Sequence, residues 1–273
     1  MTSELFGHTR DVVTSRYALL TPSGFVVSTL PGWRNAECIV MISPRLGAEF
    51  TQFLISLSCD GEGSGNTGNE ELFVFVLEGE LSAALNATAS NTMQDFPSLG
   101  AGAYLYIPAG KVYRLSSCRQ KVRLLIFQKT YRPLPGMMTP DLLVGHEREI
   151  AGQPFMGNPD AMLQVLLPEN LSFDLAVNIF TYQPGATLPL VETHVMEHGL
   201  LMLKGQGIYR LDRDWHPVRE GDVIWMASYC PQWFVAMGPT PASYIYYKDV
   251  NRERVGELKS GRVGEWGSGR VGE

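Results

Sequence analysis

The stretches "LFVFVLEGELSAAL", Leu72–Leu85, and "LLMLKGQGIYRL", Leu200–Leu211, share one layout: an apolar run, a turn marked by glycine, and a second run. Short β-branched and aromatic runs bounded by turn residues read as strands. Two further pairs follow in the same order. "GAGAYLYIPAGKVYRL" (Gly100–Leu115) matches "REGDVIWMASYCPQWF" (Arg219–Phe234), and "RLLIFQKTY" (Arg123–Tyr131) matches "SYIYYKDVN" (Ser243–Asn251). Gly102 to Lys129 and Gly221 to Lys248 are both 27 positions, an interval that puts Lys129 at the place of Lys248. Three matches in order at one interval indicate an internal duplication. The reading is all-β, a sandwich or barrel built twice, with few short helices. Residues 1–140 form the first unit, and 141–160, rich in Pro and Gly, link it to a second over 161–252. The tail, 253–273, repeats "GRVGE" and has too few apolar residues to offset the entropy of ordering, so it is expected to stand outside the fold.

The 273 residues are 45% hydrophobic and 18% charged, with formal net charge −6. An acidic balance argues against nucleic acid as a partner. No run approaches the roughly 18 apolar residues of a membrane span, and the start shows no leader pattern. A cytoplasmic protein without membrane contact is expected. Cys38, Cys59, Cys118 and Cys230 lie far apart without metal-like spacing, which suits reduced cysteines.

Two of the five histidines fall in "LVETHVMEHG", Leu190–Gly199. On an unbroken strand Glu192, His194, Met196 and His198 would share one face, with Glu197 on the other. A carboxylate and two imidazoles suit a divalent metal; the alternative is an exposed polar strand face. The remaining histidines, His8, His146 and His216, lie in segments that read as terminus, linker and turn, and suit surface positions. Asp174 and Asn178, in "SFDLAVN", can approach the pocket rim or pair across the units.

The spacing G-x6-E-x-H-x3-H-x6-G, Gly185 to Gly205, followed by "GDVIWMASYCPQW" from Gly221, resembles the two-motif signature of the cupin superfamily of metal-binding β-barrels. Laid on that signature, Glu192 replaces the first His, His194 keeps the second, His198 replaces the Glu, and Gln232 takes the place of the last His. The resemblance implies a metal set of Glu192, His194, His198 and Gln232. The same count in the first half falls on Asn66, Gly68, Leu72 and Tyr113, which form no donor set. The chain therefore resembles a bicupin, two tandem antiparallel jelly-roll barrels, with one metal-binding half.

With "GQGIYRL", "PQW" and "YKDVNR" added, and "SPRLGAEF" in the first half, it closely resembles the (S)-ureidoglycine aminohydrolases of ureide breakdown over about residues 16 to 252. That resemblance implies Mn²⁺, a small ureide substrate, release of ammonia to give (S)-ureidoglycolate, and a homo-oligomer. It implies catalytic roles for Glu192 and Lys248, and substrate contacts from Glu192, Tyr209, Gln232, Tyr244 and Lys248. Two rival readings stand beside it: another metal-dependent cupin enzyme, such as a dioxygenase, decarboxylase or isomerase, and a non-catalytic binding bicupin. The rival enzymes usually keep three His and one Glu.

Overall fold

The computed structural model describes residues 9–86, 93–117 and 120–252; His8, Cys118 and the 253–273 tail lie outside them. The repeated sequence blocks become repeated strands. In one large antiparallel sheet Leu143–His146, Ala103–Ile107, Glu70–Glu78, Val122–Thr130, Phe50–Asn66 and Trp33–Ile42 lie side by side. In the other, Tyr17–Leu20, Val223–Met226, His198–Lys204, Ala242–Asp249, Leu175–Tyr182 and Asn158–Val165 follow the same spatial order. A smaller set of strands backs each: Glu80–Asn86 with Met93–Gly100 and Val112–Ser116, and Gln206–Leu211 with Asp214–Arg219 and Gln232–Met237.

Alternation along each strand then builds two barrel interiors. Leu72, Val74, Leu105, Leu124 and Ile126 fill the first, and Phe180, Leu200, Tyr209, Phe234 and Tyr244 the second. The helices among the described residues are two 3-10 turns, Pro22–Gly24 and Glu147–Glu149. The fold is thus the all-β tandem double barrel that the repeats imply.

Sheet membership does not follow the expected boundaries at 140 and 160. Val12–Val13 and Tyr17–Leu20, within the expected first unit, extend the second sheet beyond Val223–Met226. The expected linker is largely strand: Leu143–His146 extends the first sheet, while Gln153–Phe155 joins the second. Each segment covers a sheet edge that would otherwise expose unpaired backbone groups.

The outer faces of the two large sheets pack against each other. Phe50, Phe73, Tyr106 and Phe127 of the first half share one core with Leu175, Val177, Trp225 and Tyr247 of the second. Phe50 stacks on Tyr247 at 4.1 Å. Gly199 makes this approach possible, because a Cβ there would stand 2.3 Å from the Phe50 ring.

Two carboxylate clusters are sealed in this layer. In one, Lys129 Nζ lies 2.5 Å from Asp174 Oδ2 and 3.6 Å from Glu71 Oε1, and the Tyr106 hydroxyl donates to Glu71 at 2.5 Å. Glu71 Oε1 and Asp174 Oδ1 are buried without an N–H or O–H partner, and a proton held on Glu71 and shared with Asp174 satisfies both. Burial, then the bond and charge of Asp174, push Glu71 up to about 9. Asp174, although burial works the other way, is held below the usual carboxylate range by the bond from Glu71 and the charge of Lys129. In the second cluster Glu197 accepts from Glu49 N at 2.9 Å and Trp225 Nε1 at 3.3 Å, and its own N–H donates to Asp249.

These pairings correct the expected match of Lys129 with Lys248. Lys248 stands opposite His198, but the residue opposite Leu72, the first-half counterpart of His198, is Gln128; Lys129 stands opposite Glu71. An offset of one residue turns a strand side chain to the other face. Lys129 therefore points into the layer between the sheets and pairs with Asp174 across the two halves.

Candidate metal centre

The first half's Phe50–Asn66 strand runs 17 residues without a proline, from the large sheet into its backing strands. The corresponding stretch of the second half carries Pro184 and Pro189, which lack the N–H that a ladder requires. Beyond Tyr182 it makes only the isolated bridges Thr187↔Val235 and Glu192↔Gln232 before the His198–Lys204 strand begins. The unbroken strand expected through Glu192, His194, Met196 and His198 is therefore replaced by an irregular loop. His194, His198 and Gln232 meet through this loop and its bridge to the Gln232 strand, not because the donors share a strand face.

At the bridge, Glu192 and Gln232 exchange both backbone hydrogen bonds at 2.9 Å, so their side chains leave the same face side by side. His198 Nε2 lies 3.1 Å from His194 Nε2, which lies 3.0 Å from Gln232 Nε2. Each imidazole has its Nδ1 against a carbonyl, Met196 O for His194 and Tyr247 O for His198, both at 3.2 Å. A carbonyl only accepts, so both Nδ1 atoms carry the proton and both Nε2 lone pairs face one point.

Burial first, then the charges of His194 and Lys248, push His198 well down; burial also lowers His194. Both stay neutral at neutral pH. Two bare lone pairs at that separation repel, and a cation between them removes the repulsion. Cis ligands at about 2.1 Å from a first-row ion stand about 3 Å apart, which matches. A half-turn of the Gln232 amide brings its oxygen to the same point and leaves its NH₂ facing the Tyr209 hydroxyl, 3.4 Å from Gln232 Oε1. The residues present thus fit a divalent ion. Among the described residues no group of three or more His, Cys, Asp or Glu comes together to hold a metal ion, so the Glu192 carboxylate does not close a ligand set with His194 and His198 in this arrangement.

Lys248 stands opposite His198 on the neighbouring strand. Burial lowers its ammonium, opposed by Glu169, Glu192 and Asp249; burial raises Glu192, opposed by Lys248. Tyr209 and Tyr244 are fully enclosed. Tyr244 bonds the Tyr182 hydroxyl at 3.1 Å and is in bonding reach of Tyr209, so a line of phenols leads to Gln232.

Glu197, next to His198, faces the layer between the sheets, away from these donors. His146 caps the Glu147–Glu149 turn through Arg148 N, and His216 contacts the Tyr17 hydroxyl; neither joins the site. Asn178 faces the barrel interior, beside Tyr246, which the sequence reading did not single out. Its only sequence signal is the even-numbered alternation with Tyr244 and Lys248. In the first half, Tyr113 at the Gln232 position lies over Gly65, where a Cβ would stand 2.8 Å from its hydroxyl, so a ring fills the equivalent space. A surface groove of about 320 Å³ on the second barrel, lined by Arg10, Gln206, Pro217 and Arg219 among others, includes none of the candidate donors.

The Cupin domain family model matches residues 178–247, from the strand facing Tyr246 to the strand carrying it. The chain is 35% identical over 258 residues to the (S)-ureidoglycine aminohydrolase of Escherichia coli, covering 90% of this chain and 96% of the relative. It is 36% identical to the Arabidopsis thaliana (S)-ureidoglycine aminohydrolase, covering 91% and 80%. The crystal structure of protein Ylba from E. coli superposes with TM-score 0.79 at 32% identity, covering 90% of this chain and 96% of that one. The chain belongs to the (S)-ureidoglycine aminohydrolase family.

Proposed function

We propose that this protein hydrolyses (S)-ureidoglycine to (S)-ureidoglycolate and ammonia, in ureide catabolism, with a divalent metal, Mn²⁺, held by Glu192, His194, His198 and Gln232. The observation that carries this reading is the convergence of two bare imidazole nitrogens and an amide, flanked by Glu192 and Lys248, in a chain of this family. Bound there, the metal supplies Lewis acidity and a fixed anchor for an anionic substrate. Its one anionic ligand leaves a net positive site, and Lys248 adds a second cation for the carboxylate. The reaction exchanges one C–N bond for a C–O bond: water adds to the central carbon, its proton passes to the departing amine, and the ureido nitrogen lone pair assists departure. In this reading Glu192 accepts that proton and Lys248 pairs with the carboxylate or returns a proton. Tyr209 lies in reach of Gln232, and Tyr209 and Tyr244 line the site in this reading. The enclosing barrel fixes one face of the central carbon, which supports a single product hand.

The donor set also bears on the rivals. Glu192 and Gln232 stand where dioxygenase and decarboxylase cupins usually place histidines, and a binding module has no need of Lys248 buried beside the donors. A cytoplasmic setting and a homo-oligomer belong to the same reading, on the family resemblance. Light scattering of the purified protein tests the second.

The test of function is purified, Mn²⁺-loaded protein with freshly generated (S)-ureidoglycine, following ammonia and product chirality. Stereospecific ammonia release by wild type and its loss in Glu192→Ala are expected. Equal background rates for the two proteins would refute the reading, and oxygen uptake without ammonia would favour a dioxygenase.

A further inference from the structure

The Ala242–Asp249 strand turns Ile245 and Tyr247 into the layer between the sheets and Tyr244, Tyr246 and Lys248 into the second barrel. Of the barrel-facing tyrosines on or beside this strand, Tyr182, Tyr209 and Tyr244 spend their hydroxyls on one another and on Gln232. Tyr246 does not join that line. Its ring stands edge-on to the His198 ring at 5.5 Å, and its hydroxyl accepts from Asn178 Nδ2 at 3.0 Å.

A phenol oxygen that accepts from an amide directs its own proton elsewhere. Asn178 is 2% exposed and its Oδ1 is buried without a donor. A buried amide with half its capacity unused is costly and is retained where the geometry it enforces has a use. A phenol is an O–H donor at neutral pH.

We propose that Tyr246, positioned by Asn178, is the specificity residue for the urea end of the substrate, its O–H donating to the ureido carbonyl while the opposite end of the molecule is held at Lys248 and the metal donors. The inference rests on the aminohydrolase reading and deepens it: it names the group that separates a ureido acid from a plain hydroxy or amino acid. A site built to donate to a carbonyl discriminates against analogues that lack one.

The experiment uses full-length, Mn²⁺-loaded protein and two unreactive probes. Hydantoate keeps the carboxylate and the ureido group but has no leaving amine; glycolate lacks the ureido group. For Tyr246→Phe, which keeps the ring and removes the hydroxyl, KM for (S)-ureidoglycine and the inhibition constant of hydantoate are expected to rise about tenfold, equivalent to about 1.4 kcal/mol. The inhibition constant of glycolate, bound Mn²⁺ and the melting temperature are expected to stay unchanged. Asn178→Ala is expected to shift hydantoate in the same direction by about threefold. An active Tyr246→Phe enzyme with unchanged hydantoate inhibition overturns the inference, as does equal weakening of hydantoate and glycolate together with loss of metal. Wild-type protein that releases no ammonia from (S)-ureidoglycine overturns instead the function on which the inference rests.

Discussion

Replacing Lys129 by Met tests whether the layer between the sheets is held by a balanced buried charge pair. Lys129 is 5% exposed at its side chain, Glu71 and Asp174 are 0%, and the ammonium lies 2.5 Å from Asp174. With Glu71 protonated, the cluster at neutral pH is one cation and one anion. Lys129→Met leaves Asp174 ionised without a counter-charge in an apolar layer, held only by the proton on Glu71 and by Arg132 N, which donates to it at 2.8 Å. Removing one partner of such a pair costs about 3–5 kcal/mol. At about 2–4 °C per kcal/mol for a chain of this size, Tm should fall by about 6–20 °C. Lys129→Met/Asp174→Asn should regain at least half of that loss, because it removes the orphaned charge together with its partner. Thermal unfolding at pH 7, followed by circular dichroism on metal-loaded protein, reads both variants. A single variant within about 1 °C of wild type, or a double variant no better than the single, would show that the pair carries no such balance.

Glu71→Gln should raise the denaturant midpoint at pH 7, because only wild type must hold a carboxyl protonated above its ordinary value. Glu71 rises from an ordinary value near 4.5 to about 9 in the fold, so its contribution is complete below the lower value and is lost as pH climbs through about 9. Denaturant midpoints from pH 6 to 10 should therefore fall less steeply for Glu71→Gln than for wild type; parallel profiles would refute the protonated carboxyl. Metal analysis by mass spectrometry should find one Mn²⁺ per chain, none in His198→Ala, and an accompanying fall in kcat/KM of at least about a hundredfold. Two equivalents per chain would contradict the blocked first barrel. Gly199→Ala should cost about 1–3 kcal/mol through overpacking on Phe50, read as a lower denaturant midpoint, and Phe50→Leu in the same chain should recover part of it.

The sequence by itself determined the all-β class, the duplication and the identity of the candidate donors. Strand pattern and glycine turns are local signals, and the two halves keep the same turns at Gly79 and Gly205 and at Gly102 and Gly221, all with positive φ. Gln232 follows from the cupin signature counted from Gly221, a resemblance and not a strand pattern. Lys129 marks where this reasoning stops. The equal interval from Gly102 and Gly221 is off by one residue in the connection before the last strand, although the match of Arg123–Tyr131 with Ser243–Asn251 sets Gln128 against Lys248, and that residue decides whether a cation enters a barrel or the layer between sheets. The unbroken strand failed for a similar reason: alternation predicts a face only while a partner strand holds the ladder, and Pro189 withholds it. Which edge Tyr17–Leu20 covers, which nitrogen of His194 and His198 is bare, and that Asn178 meets Tyr246 were set by pairing between residues far apart in the chain. A side chain's type is written locally, but its partner, register and tautomer exist only once non-local strands are hydrogen-bonded, and the chemistry at this site depends on those three.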